Sequence, residues 1–327
     1  MNYSYSNKNQ KLALIGCGYW GTILVKTLIS LRFKNITIYD QNYRFAKLLK
    51  KKFPSLQIEK NLNKILLDDK ILNCFLITPP SKNFKLVSKF ISYNKNIFLE
   101  KPGMTKISDL IKIKKKLKKS NSKLMLGYIY FFNDYISKIK SIIDKKSLGK
   151  ILYINFQRQN LGPIRNDVDV DYDLTSHDVS ILYKLFKKTP RLISKKKYSL
   201  LKKNISDISN LHLKLDNVII DINNSWINPN KIRKITIVGT KKMLLFNELD
   251  QLRPITVYNQ YAKYPDLSFF DNKFLKSKAY IYFGKNYSIK TKKTYPLNNE
   301  IKHFFDFKKP FTNIDFGIKI FNFLKTV

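Results

Sequence analysis

Asp173 and His177 lie four residues apart in a stretch, 173–186, whose apolar spacing predicts a helix, so both project from one face of it. An imidazole titrates near physiological pH and is suited to taking a proton from a hydroxyl. The neighbouring carboxylate either orients that ring or holds other hydroxyls of a bound molecule. A second chemical spot is Glu100-Lys101-Pro102, which closes the apolar run Asn96-Ile97-Phe98-Leu99. A proline directly after a charged pair at a strand end predicts a constrained turn, with a cis peptide as one form of it, that keeps Lys101 in one place. An ammonium so held suits an oxygen on which negative charge develops.

Both groups need a scaffold, and the stretch Leu12-Ala13-Leu14-Ile15-Gly16-Cys17-Gly18-Tyr19-Trp20-Gly21 supplies its first element. An apolar run long enough for a buried strand breaks into glycines and resumes as a helical pattern. Gly16 permits the tight turn, Gly18 lets the backbone approach a pyrophosphate, and Gly21 lets the helix pack closely on the sheet. The free N–H groups at the start of that helix favour an anion, with Tyr19 and Trp20 beside them. Asp40 ends the next apolar run, Ile36-Thr37-Ile38-Tyr39, where a carboxylate accepts from ribose hydroxyls and repels a 2′-phosphate. The pattern therefore predicts NAD and disfavours NADP, although Arg44, one helical turn further on, opposes that exclusion. The run 72–77 reads as a parallel strand buried on both faces. It ends at Thr78-Pro79-Pro80, which should leave the sheet as a loop lining the cofactor crevice.

From 1 to 127 the apolar runs and helical patterns alternate, which predicts an α/β dinucleotide-binding domain with a doubly wound parallel sheet. From 128 to 327 the pattern changes to longer alternating strands, plainest where Leu211, Leu213 and Leu215 alternate with His212 and Lys214. This predicts an α+β domain with a large, mostly antiparallel open sheet, helices on one face, and a candidate oligomer interface on the other if that face is apolar.

Composition narrows the partners. The 327 residues carry 62 Lys and Arg against 23 Asp and Glu, a net charge of +39, but the lysines are spread along the whole chain. Nucleic-acid readers cluster arginine on one element, so we read the charge as compositional drift that still draws anionic substrates. The two cysteines, Cys17 and Cys74, fall in apolar surroundings and read as buried, unpaired and structural. Lys26 and three glycines interrupt the apolar run 12–31, so no membrane or signal segment is expected and the cytoplasm is the expected compartment. No metal-ligand spacing is evident.

The order of these motifs resembles the Gfo/Idh/MocA oxidoreductases, whose members pair a Rossmann domain and a Glu-Lys-Pro strand end with a second α/β domain carrying an Asp-x-x-x-His helix. The likeness runs through the glycine stretch 16–21, Thr78-Pro79-Pro80, Glu100-Lys101-Pro102 and Asp173-Leu174-Thr175-Ser176-His177-Asp178, to a closing stretch around His303-Phe304-Phe305. A narrower likeness, carried by Arg158-Gln159-Asn160-Leu161-Gly162, by Ser225-Trp226 with Pro229, Lys231 and Arg233, and by Val238-Gly239, points to members that act on nucleotide sugars in bacterial surface-polysaccharide pathways. It implies oxidation of a secondary hydroxyl, at C3 of UDP-N-acetylglucosamine or its uronate, with Lys101, Asp173 and His177 catalytic where the two domains meet. It also implies that Asn160, Arg165, Trp226 and Arg233 bind substrate. For the two arginines, diphosphate or uronate recognition and structural ion pairing stand side by side. Asn83 stands where many relatives carry a histidine, so its cofactor contact is altered rather than lost; Tyr128 also replaces a histidine. Asp178 reads as a local cap or pair, and His212 and His303 as structural. Competing readings are an inositol or free-sugar dehydrogenase, a keto-sugar reductase, and a non-catalytic NAD-binding sensor. A homodimer or homotetramer through the second sheet is expected.

Overall fold

The computed structural model describes residues 5–162, 164–165, 168–263, 279–291 and 295–327. The chain divides into two compact units, Met1–Phe132 with Tyr295–Asn322, and Asn133–Thr294 with Phe323–Val327. The expected single boundary after Gly127 does not include the return of the 295–322 stretch to the first unit.

The first unit alternates strand and helix: β1 (Lys11–Ile15), α1 (Tyr19–Ser30), β2 (Asn35–Tyr39), α2 (Tyr43–Lys52), β3 (Gln57–Ile58), α3 (Leu62–Leu67), β4 (Ile71–Leu76), α4 (Pro80–Ser92), β5 (Asn96–Glu100), α5 (Ile107–Leu117) and β6 (Leu124–Gly127). The six strands form one parallel sheet in the order β3-β2-β1-β4-β5-β6. Its order reverses between β1 and β4, the switch point outside whose strand ends dinucleotides bind. Leu12, Ala13, Leu14, Cys74, Phe75, Leu76, Ile97, Phe98 and Leu99 have no exposed surface, as strands covered on both faces require. Pro80 is the first residue of α4, with Pro79 as its cap. The proline pair thus starts a helix rather than a long loop, because the first helical N–H has no intrahelical partner to lose.

A single-turn 3₁₀ segment, Ile129–Phe132, ends this part of the chain. The edge strand β6 is covered by the returning segment: Leu126 N–H donates to Thr312 O (2.7 Å) and Thr312 Oγ1 donates back to Leu126 O (2.7 Å). Phe304 of the helix Pro296–Asp306 (α8 in chain order, after α6 and α7 below) packs on Phe75 and Phe98. Lys123 Nζ donates to the carbonyls of Phe304, Phe305 and Phe307, a cation at a helix C-terminus.

His303 on this helix lies between Phe307 and Phe311, ring centroids 4.2 and 4.4 Å away, and its Nε2 accepts from Phe311 N–H (3.0 Å). Burial, helped by the Lys123 charge and opposed by Asp306, lowers its pKa to about 4 from an ordinary 6.5. The unfolded chain therefore binds a proton between those values that the folded chain refuses. Stability is full above the ordinary value and falls by up to about 3 kcal/mol as pH drops through this window. Urea titrations of wild type and His303→Gln at pH 7 and 4.5 check this: the variant, which keeps an acceptor for Phe311 N–H, should show the shallower loss, and equal losses would rule the account out.

The second unit opens with α6 (Asp134–Asp144) and β7 (Ile151–Gln159), then one turn of π-helix, Asp171–Thr175, running directly into α7 (Ser176–Phe186). There follow β8 (Arg191–Tyr198), β9 (Ile208–Leu215), β10 (Val218–Ser225), β11 (Ile232–Gly239), β12 (Met243–Asn247), β13 (Ile255–Tyr258), the hairpin of β14 (Gln260–Lys263) and β15 (Tyr280–Phe283), and β16 (Tyr287–Ser288). The large sheet runs β16-β13-β12-β11-β7-β10-β9-β8 and is antiparallel except where β7 and β10 pair in parallel. Ile154, Phe156, Leu211, Leu213, Ile220, Ile222, Ile235 and Ile237 bury one face. The other face is polar at its centre: Tyr153 OH donates to Asp221 (2.7 Å), His212 Nδ1 meets the same carboxylate (2.5 Å), and Asn223 donates to Asn155 (2.9 Å). The condition set for an oligomer interface, an apolar outer face, is not met across β7, β9 and β10. The remaining helix, α9 (Ile314–Leu324), follows α8. No helix among the described residues is long and apolar enough to cross a membrane.

Candidate active site

In the first unit the glycine turn has the geometry its spacing predicts. Gly16 has φ +103°, and a Cβ there would collide with the Ile77 carbonyl; a Cβ at Gly21 would collide with the Gly16 carbonyl. Those two glycines are required by the polypeptide itself. Gly18 is different. Its φ of −74° suits any residue, and a Cβ would meet nothing within 4 Å. Its bareness keeps open the space over the start of α1, a helix with no side-chain cap and no acidic residue in its first turn. That is the cradle an anionic pyrophosphate fits. Gly18→Val should leave the thermal midpoint of the free protein unchanged and weaken NAD binding by about tenfold or more, measured by calorimetry. Equal NAD affinity would show that the space is not the ligand's.

Asp40 braces this turn. Its Oδ2 accepts from Cys17 N–H (2.8 Å) and its Oδ1 from Asn42 N–H (2.8 Å), which leaves a carboxylate with unused lone pairs at the end of β2, as ribose recognition needs. Arg44, in the first turn of α2, is exposed. Cys17 and Cys74 are buried free thiols, each pushed up to about 12 by burial, and so are inert. Tyr19 is 83% exposed beside the turn. Trp20 Nε1 donates to Glu100 Oε2 (2.9 Å), tying the glycine helix to the second motif.

At that motif Glu100, Lys101, Pro102 and Gly103 form a turn closed by Gly103 N–H on Glu100 O (3.1 Å), with the Lys101–Pro102 peptide cis. Asn83 lies fully buried: its Nδ2 donates to Gly103 O (2.6 Å) and its Oδ1 accepts from Thr78 Oγ1 (2.5 Å). Its amide joins the 78–80 and 100–103 turns. Tyr128 is also fully buried, its ring packed edge-on against Phe316. Sequence reasoning missed Glu300 of α8, which is 1% exposed and whose carboxyl burial pushes well above its ordinary value, with the Glu100 charge adding to the effect. An acid among the apolar positions of 297–305 was the available signal.

In the second unit the π turn places Asp173 and His177. Its i→i+5 bond, Ser176 N–H to Asp171 O, takes more than four residues per turn, so residues four apart remain on one face. Such turns recur at functional sites. Asp173 Oδ2 accepts from Trp226 Nε1 (3.2 Å), and Arg165 Nη1 lies 3.9 Å from Asp173 Oδ1. The structure thus brings Asp173, Trp226 and Arg165 together, with His177 half-buried one turn along. Arg233 donates to the carbonyls of Gln159 (3.0 Å) and Ile232 (2.8 Å) and to Asn160 Oδ1. It holds the chain after β7 in place, which favours the structural reading for this arginine.

Asp178 is not paired locally. Fully buried, it accepts from Arg158 Nε (3.1 Å) and Nη2 (2.9 Å) on β7 and from Asn224 Nδ2 (3.1 Å) on β10. Asn224 also donates to Thr175 Oγ1 (2.9 Å), and Thr175 donates to Asp171 (2.6 Å), which pairs with Lys197 (2.9 Å). This buried network anchors the π turn to the sheet. Its signal was Arg158, which alternation puts on the same face as Ile154 and Phe156 and which therefore needs a buried acid.

A switch-point sheet, a glycine turn open over a helix N-terminus and a strand-end carboxylate define a dinucleotide-binding fold. Residues 10–128 match the oxidoreductase family GFO_IDH_MocA, described by its NAD-binding Rossmann fold. An uncharacterized oxidoreductase of Streptococcus pneumoniae serotype 4 is 24% identical over 149 residues, a match spanning 45% of this chain and 40% of that one. Solved structures are similar over nearly the whole chain, among them the following two. UDP-N-acetylglucosamine 3-dehydrogenase GnnA from Acidithiobacillus ferrooxidans superposes with a TM-score of 0.76 at 14% identity, covering 97% of this chain and 96% of that one. KijD10, a 3-ketoreductase from Actinomadura kijaniata, in complex with TDP-benzene and NADP, gives 0.75 at 10% identity, covering 98% and 96%.

Proposed function

We propose that this protein oxidises a secondary hydroxyl, at C3, of a nucleotide-linked sugar such as UDP-N-acetylglucosamine or its uronate, in the synthesis of a surface-polysaccharide precursor. The observation that carries the reading is the π turn that presents Asp173 and His177 on one face, with Trp226 and Arg165 on the Asp173 carboxylate. Gly16, Gly18, Gly21, Asp40 and the 78–80 turn hold NAD, which when bound supplies the hydride acceptor. His177 takes the hydroxyl proton on an imidazole nitrogen as the hydride leaves the carbinol carbon. Asp173 holds the reacting sugar or keeps the ring oriented. The Lys101 ammonium hydrogen-bonds the oxygen on which negative charge develops. Arg165, at the rim of this group, binds the anionic part of the substrate. The likeness to GnnA supports this choice of substrate class.

The likeness to a 3-ketoreductase supports a second reading with the same residues run backwards, His177 returning the proton to the carbonyl oxygen. A non-catalytic NAD sensor would have no use for Lys101, Asp173 and His177 together. Nicotinamide absorbance separates these. UDP-N-acetylglucosamine or its uronate with NAD should produce NADH. Signal from inositol or free glucose alone would move the substrate, and consumption of NADH by a 3-keto sugar alone would reverse the direction. NAD binding without turnover across the panel would favour the sensor. We further propose a cytoplasmic homodimer or homotetramer, tested by light scattering.

A further inference from the structure

Asn83 is a polar side chain with no exposed surface in a unit whose interior is otherwise mostly aliphatic and aromatic, and each end of its amide makes a hydrogen bond. A carbonyl oxygen only accepts, so the Gly103 contact fixes Nδ2 on that side. Oδ1 then faces the Thr78 hydroxyl, at 2.5 Å against 2.6 Å on the Gly103 side. Gly103 is confined as well: it has φ +87°, and a Cβ there would come within 2.8 Å of Leu126 Cδ2. Its N–H closes the turn on Glu100 O. Lys101 is therefore borne on a turn whose last residue is pinned through its N–H and its carbonyl, the latter by a bridge that begins in the neighbouring 78–80 turn. A leucine of similar size would leave the Gly103 carbonyl and the Thr78 hydroxyl unpartnered in the interior, and the turn would relax to regain them.

We infer that Asn83 is a positioning residue that acts through Lys101, coupling the Thr78-Pro79-Pro80 turn to the turn that aims the ammonium. The kinetic part rests on the proposed role of Lys101; the clamp itself does not. Misplacing a catalytic group by about 1 Å costs up to about 100-fold in rate, so Asn83→Leu should lower kcat by about 10- to 100-fold. The KM for NAD should change less than kcat, because the glycine turn and Asp40 are untouched and only the 78–80 turn is loosened. Asn83→His should recover most of the loss, since a neutral imidazole donates through one nitrogen and accepts through the other. In the Lys101→Ala background, Asn83→Leu should cost nothing further.

Hydrogen exchange at the Gly103 amide, read in the free protein by mass spectrometry, is the readout that needs no substrate. Asn83→Leu should lose protection there and leave β1 and β4 protected. If Asn83→Leu does not fold, Thr78→Val releases one end of the same bridge and should show the same exchange change with a smaller fall in kcat. Unchanged Gly103 exchange in the folded variant, or equal losses of kcat with Lys101 present and absent, overturns the inference. Should the wild type turn over no sugar at all, the proposed function fails, while exchange at Gly103 still decides the clamp either way.

Discussion

His177→Asn is expected to lower kcat by about two orders of magnitude or more while NAD binds as it does to the wild type. An amide fills part of the space of the ring but has no usable proton affinity near neutral pH, so the hydroxyl proton must go to water. The loss should fall on kcat because the base is needed only as the hydride departs. His177 lies at the start of α7, where its own carbonyl accepts from Ser180 Oγ (2.6 Å), so the backbone there is held independently of the ring. Stopped-flow NADH formation on wild type and variant checks this, with calorimetry for NAD. The pH profile should also change: an acid limb reporting the imidazole in the wild type should be absent from the variant. A variant within fivefold of wild type would remove His177 from the chemistry.

Lys101→Ala is expected to cost a similar factor by a different route. Its ammonium stabilises charge that grows on the oxygen in the transition state, and removal of one such donor typically costs about 100- to 1,000-fold. Lys101→Arg should recover little, because a planar guanidinium spreads its charge and cannot place a single donor where the ammonium does. The turn is closed by the backbone bond from Gly103 to Glu100, so truncating the side chain leaves its frame in place. Single-turnover rates with saturating NAD are the measurement. A fall confined to NAD affinity, with the hydride step unchanged, would make Lys101 a cofactor anchor only.

The local pattern of this chain was informative wherever burial and period agreed. β1, β4 and β5 are mostly apolar because both their faces are covered, and β9 alternates because one of its faces is not. Features made by distant residues left little local trace. The return of 295–322 satisfies the open edge of β6 through Thr312 and Phe304, a need visible only once the sheet order is known. Asp178 looked local because its partners, Arg158 and Asn224, are strand residues far along the chain. The π turn could not be read from spacing either, since Asp173 and His177 share a face in an α-helix as well. Asn83 is expected at the cofactor because it stands where relatives carry a histidine, and spacing gives no sign of its two hydrogen bonds, which join the Thr78 hydroxyl to the Gly103 carbonyl.

The most direct test of the central claim follows the hydrogen itself. UDP-N-acetylglucosamine carrying deuterium at C3, incubated with the protein and NAD, should yield NADH with deuterium at C4 of the nicotinamide, and the initial rate should fall relative to unlabelled sugar if hydride transfer limits turnover. NADH formed without deuterium would place the oxidised carbon elsewhere on the sugar. No NADH from this sugar or its uronate, by a protein that binds NAD, would contradict the account.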